Sequence, residues 1–313
     1  MKSDPLLQPF RLRHLTLKNR MLSTSHTMLY AVDGAPQERE QLYHEEKAKG
    51  GIAMTMFGGS SVVAQDSATS SGVHVLCDDA VIPHFRRFAE RIHRYDCALM
   101  CQITHLGRRA RTRAVDWLPT LSASRTRGVD GGFPKVMDRA DIDRIVYGAA
   151  ARRCREGGLD RCEVVGQAHL PEQFWSPAWN SRTDEFGSSL ENRLRFGFVV
   201  LEEIRRQVGD DFIVGIRITI DQSLDGGLSK ADCLEIAQIH ERSVSSIFST
   251  SISAVVDRLC RSHAGNVVEG YPLRDTRLAT PVHGGITNPT PHRSTLPIGE
   301  GGLGLRPPVG VAG

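Results

Sequence analysis

The chain has 313 residues, of which 40% are hydrophobic and 24% charged, and its formal net charge is +3. These values lie near the averages of globular domains and exclude disorder, collagen and coiled coil as descriptions of the whole. The 39 basic residues nearly balance the 36 acidic ones and are scattered along the chain, so no nucleic-acid partner is implied.

In chain order, short apolar runs predict strands at 20–23, 51–57, 98–104, 162–165 and 212–219. Most are continuous rather than alternating, as strands covered on both faces are. Amphipathic segments predict helices at 38–49, 80–94, 138–156, 189–207 and 230–242. Gly157-Gly158 stops the third and Gly209 the fourth, and Asp138 caps the segment DRADIDRIV. The strand-helix alternation argues for an α/β fold with a parallel sheet.

From Val244 the rhythm fades. Lysine disappears, and prolines gather at 272, 281, 289, 291, 297, 307 and 308 among many glycines. Such a segment buries too little apolar surface to offset its ordering entropy. Residues 244–313 are therefore expected to form a divergent, poorly ordered Gly/Pro-rich tail, with VSSIFSTSISAVV as a minor candidate for a sixth strand or a docked helix. Gly299, Gly301 and Gly304 spell G-x-G-x-x-G, but no strand precedes them and Pro307-Pro308 follows, so they carry no nucleotide-binding expectation.

No apolar run reaches the roughly 18 to 20 residues of a membrane helix, and MKSDPLLQPF lacks the apolar core of a signal peptide. A cytoplasmic protein without a membrane partner is expected. The seven cysteines, Cys77, Cys97, Cys101, Cys154, Cys162, Cys233 and Cys260, include no C-x-x-C pair. That pattern fits reduced, packed thiols better than a disulfide frame or a zinc ribbon.

In a parallel α/β fold the C-terminal strand ends form the active face. The polar residues there are Ser23 to Thr27, Gly58 to Ser60, Gln102 with His105, Gln167 with His169, and Arg217. No acidic cluster stands among them, which disfavours glycoside hydrolysis, a magnesium site or hydrolysis by a metal held on His105 and His169. Neutral donors with one cation suit an uncharged, hydrogen-bonding heterocycle. Arg217, between Ile216 and Ile218 on an apolar strand, would be costly without a partner.

Six ordered segments then acquire meaning together. They are PFRLRHLTLKNRMLSTSHTM, KGGIAMTMFGGSS, CQITHLGR, FWSPAWNSRTDEFGSSLENRLRF, FIVGIRIT and DGGLSKADCLEIA. In order and spacing the chain resembles the Old Yellow Enzyme family of flavin-dependent oxidoreductases, in the branch of 2,4-dienoyl-CoA reductase, trimethylamine dehydrogenase and the N-methylproline demethylases. The resemblance covers most of 1–243 and implies an eight-stranded (β/α) TIM barrel with FMN at its C-terminal face. It stops near Ser243. Residues 1–243 are thus expected to be the N-terminal part of an FMN-binding barrel, incomplete at its C-terminal end, with out-of-frame or otherwise replaced sequence beyond.

The resemblance also implies roles. Thr24, Ser25 and Thr27 would lie along the isoalloxazine, with Thr27 against flavin O4 or N5, tuning its potential. Gly59 would admit the ring close to the backbone, with a plain turn as the rival reading. Gln102 would pair with the pyrimidine edge, and Arg217 would face N1 and O2, where charge develops on reduction. His169 would bind substrate or transfer a proton, against the alternative of capping its loop, because EVVGQAHLPEQF is one residue shorter than the commonest spacing. His105 is expected to be structural, and Arg108 to bind substrate or fix a loop. Asn180, Arg182, Asp184, Glu191, Asn192 and Arg193 would be architectural. Ser188 and Arg161 stand where the family usually has glycine.

The expected function is that of an FMN-dependent oxidoreductase. It would transfer hydride between NAD(P)H or an amine substrate and flavin, as an N-methyl amine demethylase or an enoate-type reductase acting on a small molecule. Cys260 alone cannot hold the 4Fe-4S cluster of the larger branch. The alternative is a catalytically inactive, flavin-free fragment, persisting as an interaction module or pseudogene product. Substrate identity and oligomeric state are not legible in the sequence.

Overall fold

The computed structural model describes residues 4–67, 72–111, 118–128, 131–145, 147–243 and 247–251. Its centre is one sheet of six strands: β1 (Leu22–Ser23), β2 (Met54–Val62), β3 (Ala98–Thr104), β4 (Arg161–Val165), β5 (Ile213–Thr219) and β6 (Ile247–Ser251). Neighbours in space are neighbours in sequence, and all five pairings are parallel. The crossovers carry helices α1 (Glu38–Lys49), α2 (Ile82–His93), α3 (Tyr147–Glu156), α4 (Leu190–Val208) and α5 (Lys230–Ser243). A right-handed crossover repeated without reversal puts every helix on one face, so the sheet curls toward a (β/α) barrel instead of opening into a doubly wound sheet. The barrel is incomplete over the described residues.

Both faces of the strands are apolar for different reasons. Leu99, Cys101 and Ile103 of β3, Cys162 and Val164 of β4 and Val214, Ile216 and Ile218 of β5 pack outward against Phe85, Phe88 and Ile92 of α2 and Leu201 and Ile204 of α4. Met54, Met56, Ala98 and Met100 point inward and join Leu17 and Leu22. An antiparallel hairpin, Phe10–Leu12 with Leu15–Leu17, closes the N-terminal end of this interior. The apolar half of the barrel lumen therefore lies at the bottom, and its polar half at the C-terminal rim.

Three element boundaries depart from the sequence expectation. The second strand runs on to Val62 because a bulge between Phe57 and Ser61 breaks and resumes its pairing with β3. Gly58 and Gly59 make that bulge, at φ 105° and 52°, a region costly for side-chain-bearing residues. The third helix splits into Arg139–Arg144 and α3, with Ile145 turning to extended backbone between them. The stretch VSSIFSTSISAVV supplies β6, which runs beside β5 from Ile247 opposite Gly215 to Ser251 opposite Thr219. The remainder of the expected tail, including Cys260, lies outside the described residues.

The six described cysteines are free thiols, five of them buried. No helix among the described residues is long and apolar enough to cross a membrane. The block 180–193 is architectural, as the resemblance implies. Asn180 donates to the carbonyls of Phe174 and Phe186, Arg182 to those of Ala123 and Met137, and Arg193 to those of Trp175 and Ser188. Arg182 also pairs with Asp184.

His105 is structural too. Gly107 N–H donates to its Nδ1 at 3.0 Å, so Nε2 carries the proton and donates to Asp66, also at 3.0 Å. Arg144 donates to the other Asp66 oxygen at 2.7 Å. Burial would push the Asp66 carboxyl up, but the bonds from His105 and Arg144 outweigh it and hold it at about 2, against an ordinary 3.8. The group ties the loops that follow β2 and β3 to the helix Arg139–Arg144.

Two predictions follow from these loops. A carboxyl depressed on folding stabilises above its unfolded value and loses that contribution as pH falls. Asp66 should thus supply about 2 kcal/mol at neutral pH that vanishes between about pH 5 and pH 2. Urea unfolding of wild type and Asp66→Asn should show a gap that closes over that interval; a gap independent of pH would contradict it. Ser188 sits at φ 65°. Relief of left-handed strain outweighs the backbone entropy of glycine, so Ser188→Gly should raise stability by about 0.5–1 kcal/mol, read from the urea midpoint.

Candidate active site

The polar half of the lumen is built from three adjacent strands. Gln102 on β3 stands directly opposite Glu163 on β4, and Arg217 on β5 stands opposite Val165, one inward position further along. Gln102 Nε2 donates to Glu163 Oε1 at 2.7 Å, and Arg217 Nε donates to the same oxygen at 2.8 Å. The Glu163 side chain is fully buried and that of Arg217 is 12% exposed. One carboxylate oxygen thus joins the two residues that the sequence singled out for a heterocycle's edge. Its other oxygen, Oε2, is buried without a hydrogen bond among the described residues.

Sequence reasoning missed Glu163. The test applied to Arg217, a charge flanked by apolar neighbours on a buried strand, applies equally to an acid between Cys162 and Val164 and would have found it. Arg161 is a second surprise. It is buried beneath Glu163, with Nη1 3.3 Å from the sulfur of Met54, and burial lowers it to about 10. Among the described strand residues the lumen therefore holds two guanidiniums and one carboxylate, a positive balance.

The glycine bulge of β2 meets the segment after β1. A Cβ on Gly59 would lie 2.3 Å from Thr27 N and 2.4 Å from the His26 carbonyl carbon. What requires glycine at this place in the structure is the chain at 26–27. Thr27 donates its hydroxyl proton to the Gly59 carbonyl. Thr24 and Ser25 follow β1, half-buried, and no hydrogen bond among the described residues joins either to Gln102, Arg217 or His169. Gly58 extends this contact to β3, since a Cβ there would come within 2.8 Å of the Gln102 carbonyl oxygen.

His169 caps the short helix Leu170–Trp175 after β4, with its backbone in the extended region. Its Nδ1 lies 2.6 Å from Thr104 Oγ1. Burial, with the charges of Arg109 and Arg217, holds its pKa well below 6.5, so the ring is neutral. The loop before it is anchored to β5, because Gly166 and Gln167 N–H both donate to the Arg217 carbonyl, at 2.9 and 3.1 Å. His169 thereby sits beside the strand that carries Arg217.

A second acid also escaped the sequence reading. Glu172 is buried, accepts from Gln222 at 2.6 Å and from the Thr219 hydroxyl, and burial raises its pKa. These bonds tie the helix after β4 to the end of β5. Arg108 fixes a loop: its guanidinium stacks 4.4 Å from the Trp179 ring and donates to the Arg127 carbonyl.

Glu163→Leu should leave Gln102 and Arg217 facing a dry lumen without their shared acceptor. Urea unfolding should record a loss of about 3 kcal/mol, part of it recovered in Glu163→Leu/Arg217→Met, where Arg217 no longer stands without its acceptor while Arg161 still lacks a carboxylate. A single-variant loss below about 1 kcal/mol would contradict the bonded arrangement.

Residues 5–276 match the NADH:flavin oxidoreductase / NADH oxidase family, so the match runs past Ser243. The chain is 52% identical over 240 residues to the multifunctional alkene reductase/demethylase OYE of Caballeronia cordobensis, covering 76% of this chain and 35% of that protein. It is 44% identical over 241 residues to a probable N-methylproline demethylase of Rhizobium meliloti, covering 76% and 36%. The chain thus spans about a third of the length of the curated relatives it matches. It superposes on the solved structure of a 2-naphthoyl-CoA reductase with a TM-score of 0.75 at 24% identity, covering 80% of this chain and 41% of that one. The sequential parallel barrel, the Gln102–Glu163–Arg217 cluster at its rim and a match over most of the length lead to one assignment: the chain belongs to the NADH:flavin oxidoreductase / NADH oxidase family.

Proposed function

We propose that this chain forms the flavin-facing part of an FMN-dependent oxidoreductase that acts on a small molecule, by N-demethylating an amine or reducing an activated alkene. The observation that carries the reading is the cluster of Gln102, Glu163 and Arg217 on one inner face. With one amide N–H given to Glu163, Gln102 retains a second N–H and its Oε1, the donor and acceptor that a pyrimidine edge requires. Arg217 gives Nε to Glu163, while its Nη2 meets the Met56 sulfur, at 3.8 Å. A guanidinium whose end groups have no oxygen partner among the described residues fits the electron-rich side of that ring. The donor set therefore fits the isoalloxazine of FMN.

When bound, FMN supplies a two-electron hydride acceptor and donor, with NAD(P)H as the proposed reductant. The protein's part is binding and electrostatics. Gln102 sets the ring's register, Arg217 stabilises negative charge at its edge, and Glu163 keeps both aimed. Thr27 and Gly59, locked to each other, form the wall beside β1, with Thr24 and Ser25 on the same segment. His169, neutral and close to Arg217, orients substrate. The names of the two relatives, an alkene reductase/demethylase and an N-methylproline demethylase, favour N-methylated amino acids among the amine substrates.

Purified full-length chain should show the visible bands of oxidised flavin, with stoichiometric FMN on release. In the presence of an electron acceptor it should release formaldehyde from N-methylproline. A protein that stays colourless with added FMN would overturn the proposal and favour the flavin-free fragment.

A further inference from the structure

The floor of the lumen holds a charge that the site described above does not use. Glu163 faces the lumen, while Cys162 and Val164 pack outward, so strand alternation turns Arg161 inward as well, one step below the carboxylate. It stands in register with Met100 of β3 and Ile213 of β5, and its side chain reaches Met54 of β2. That part of the lumen is otherwise apolar.

The Arg161 charge has no counterpart there. The residue is 4% exposed, Nη1 meets a thioether sulfur, which is a weak acceptor, and Nε is buried without a partner. Among the described residues no carboxylate pairs with it: Glu163 Oε1 is taken by Gln102 and Arg217, and Oε2 is itself unpartnered. Burial lowers the guanidinium to about 10, which leaves it cationic at neutral pH. A buried cation without an acceptor is costly. Glu163 and Arg217 cancel at contact, and the charge of Arg161 is left over.

Hydride transfer brings the missing sign. It adds two electrons and one proton to an uncharged ring, which then holds one negative charge unless a second proton follows. Attraction of this kind needs no contact: across about 10 Å, at an effective dielectric of about 20, one unit charge shifts the equilibrium of another by roughly tenfold or more. We propose that Arg161 is a remote electrostatic residue of this site, touching neither ring nor substrate, whose unpaired charge favours the hydride-loaded, negative state of the flavin over the oxidised one. Arg217 acts at the ring's edge through its own end groups, whereas Arg161 acts from the floor through its field. Arg161 stands where the family usually has glycine, so the usual site lacks this charge. The assignment rests on the proposed function and adds a residue to it. Its other consequence does not involve flavin: the same charge destabilises the empty chain.

The test is the midpoint potential of bound FMN, followed by dye-coupled reduction of the full-length chain. Arg161→Met, similar in length and uncharged, should lower it by about 30 mV or more, which for a two-electron couple is a tenfold loss of preference for the reduced ring. Arg161→Lys, which keeps a cation, should lie closer to wild type than to the methionine variant. In the chain stripped of FMN, Arg161→Met should unfold at a higher urea concentration than wild type, because an uncompensated charge is gone. An Arg161→Met chain that holds FMN at the wild-type potential would overturn the proposal. A lower urea midpoint would overturn it too, by showing that the guanidinium is paired. If Arg161→Met does not fold, Arg161→Gln takes its place in both arms. A wild-type chain that binds no FMN would overturn the proposed function, and this proposal with it; FMN bound with an unmoved potential counts against Arg161 alone.

Discussion

A carboxylate with no exposure to water stands inside the barrel, and the rest of the site is arranged around its demands. Glu163 accepts from Gln102 on one neighbouring strand and Arg217 on the other. A buried charge is tolerable only with partners of this kind, because desolvation is otherwise uncompensated. Parallel pairing of β3, β4 and β5 sets Gln102 level with Glu163 and Arg217 one inward position above them, from which its guanidinium reaches back to the carboxylate. The shared oxygen then consumes one N–H of the amide and the Nε of the guanidinium, which decides what each can still offer a ligand. Arg161, one inward position below, adds a second cation to an interior otherwise lined by methionines, so the field at the rim favours electron-rich partners.

The backbone around this cluster serves the same end. Strand order follows sequence order, so the helices cover the outer face and leave the lumen to the inward side chains. The N-terminal hairpin fills the lumen from below with Leu15 and Leu17, while the glycine bulge of β2 lets the chain at 26–27 pack closely against Gly59 at the rim. Loops on the rim are tied down by separate buried groups: Asp66 with His105 and Arg144, Glu172 with Thr219 and Gln222, and Gln173 with the 106–108 turn. Each is a polar network completed in the absence of ligand, which is how a rim can be rigid before anything binds.

Much of this was legible in the sequence, because covered strands advertise themselves as short continuous apolar runs and the helices between them as amphipathic ones. Gln102 and Arg217 could be named because polar residues at the ends of such runs need a reason to be there. Glu163 and Glu172 were passed over in the search for an acidic cluster, yet each acts singly, through partners from other strands that spacing alone does not bring together. The extent of β2 was hidden by Gly58-Gly59, which read as a stop and instead forms a bulge. β6 was weighed only as a minor option, since its serines resemble a loop until register against β5 supplies the backbone bonds. The contact of Thr104 with His169 was invisible for the same reason as the partners of Glu163: the two are 65 residues apart.

The central claim is that the face built by Gln102, Glu163 and Arg217 receives the flavin edge. The measurement closest to it is the FMN dissociation constant of the full-length chain beside that of Arg217→Met, each followed by flavin fluorescence. Loss of a charge-assisted hydrogen bond should weaken binding by about 10- to 100-fold. An Arg217→Met variant that binds FMN as tightly as wild type would place the flavin elsewhere and contradict the account.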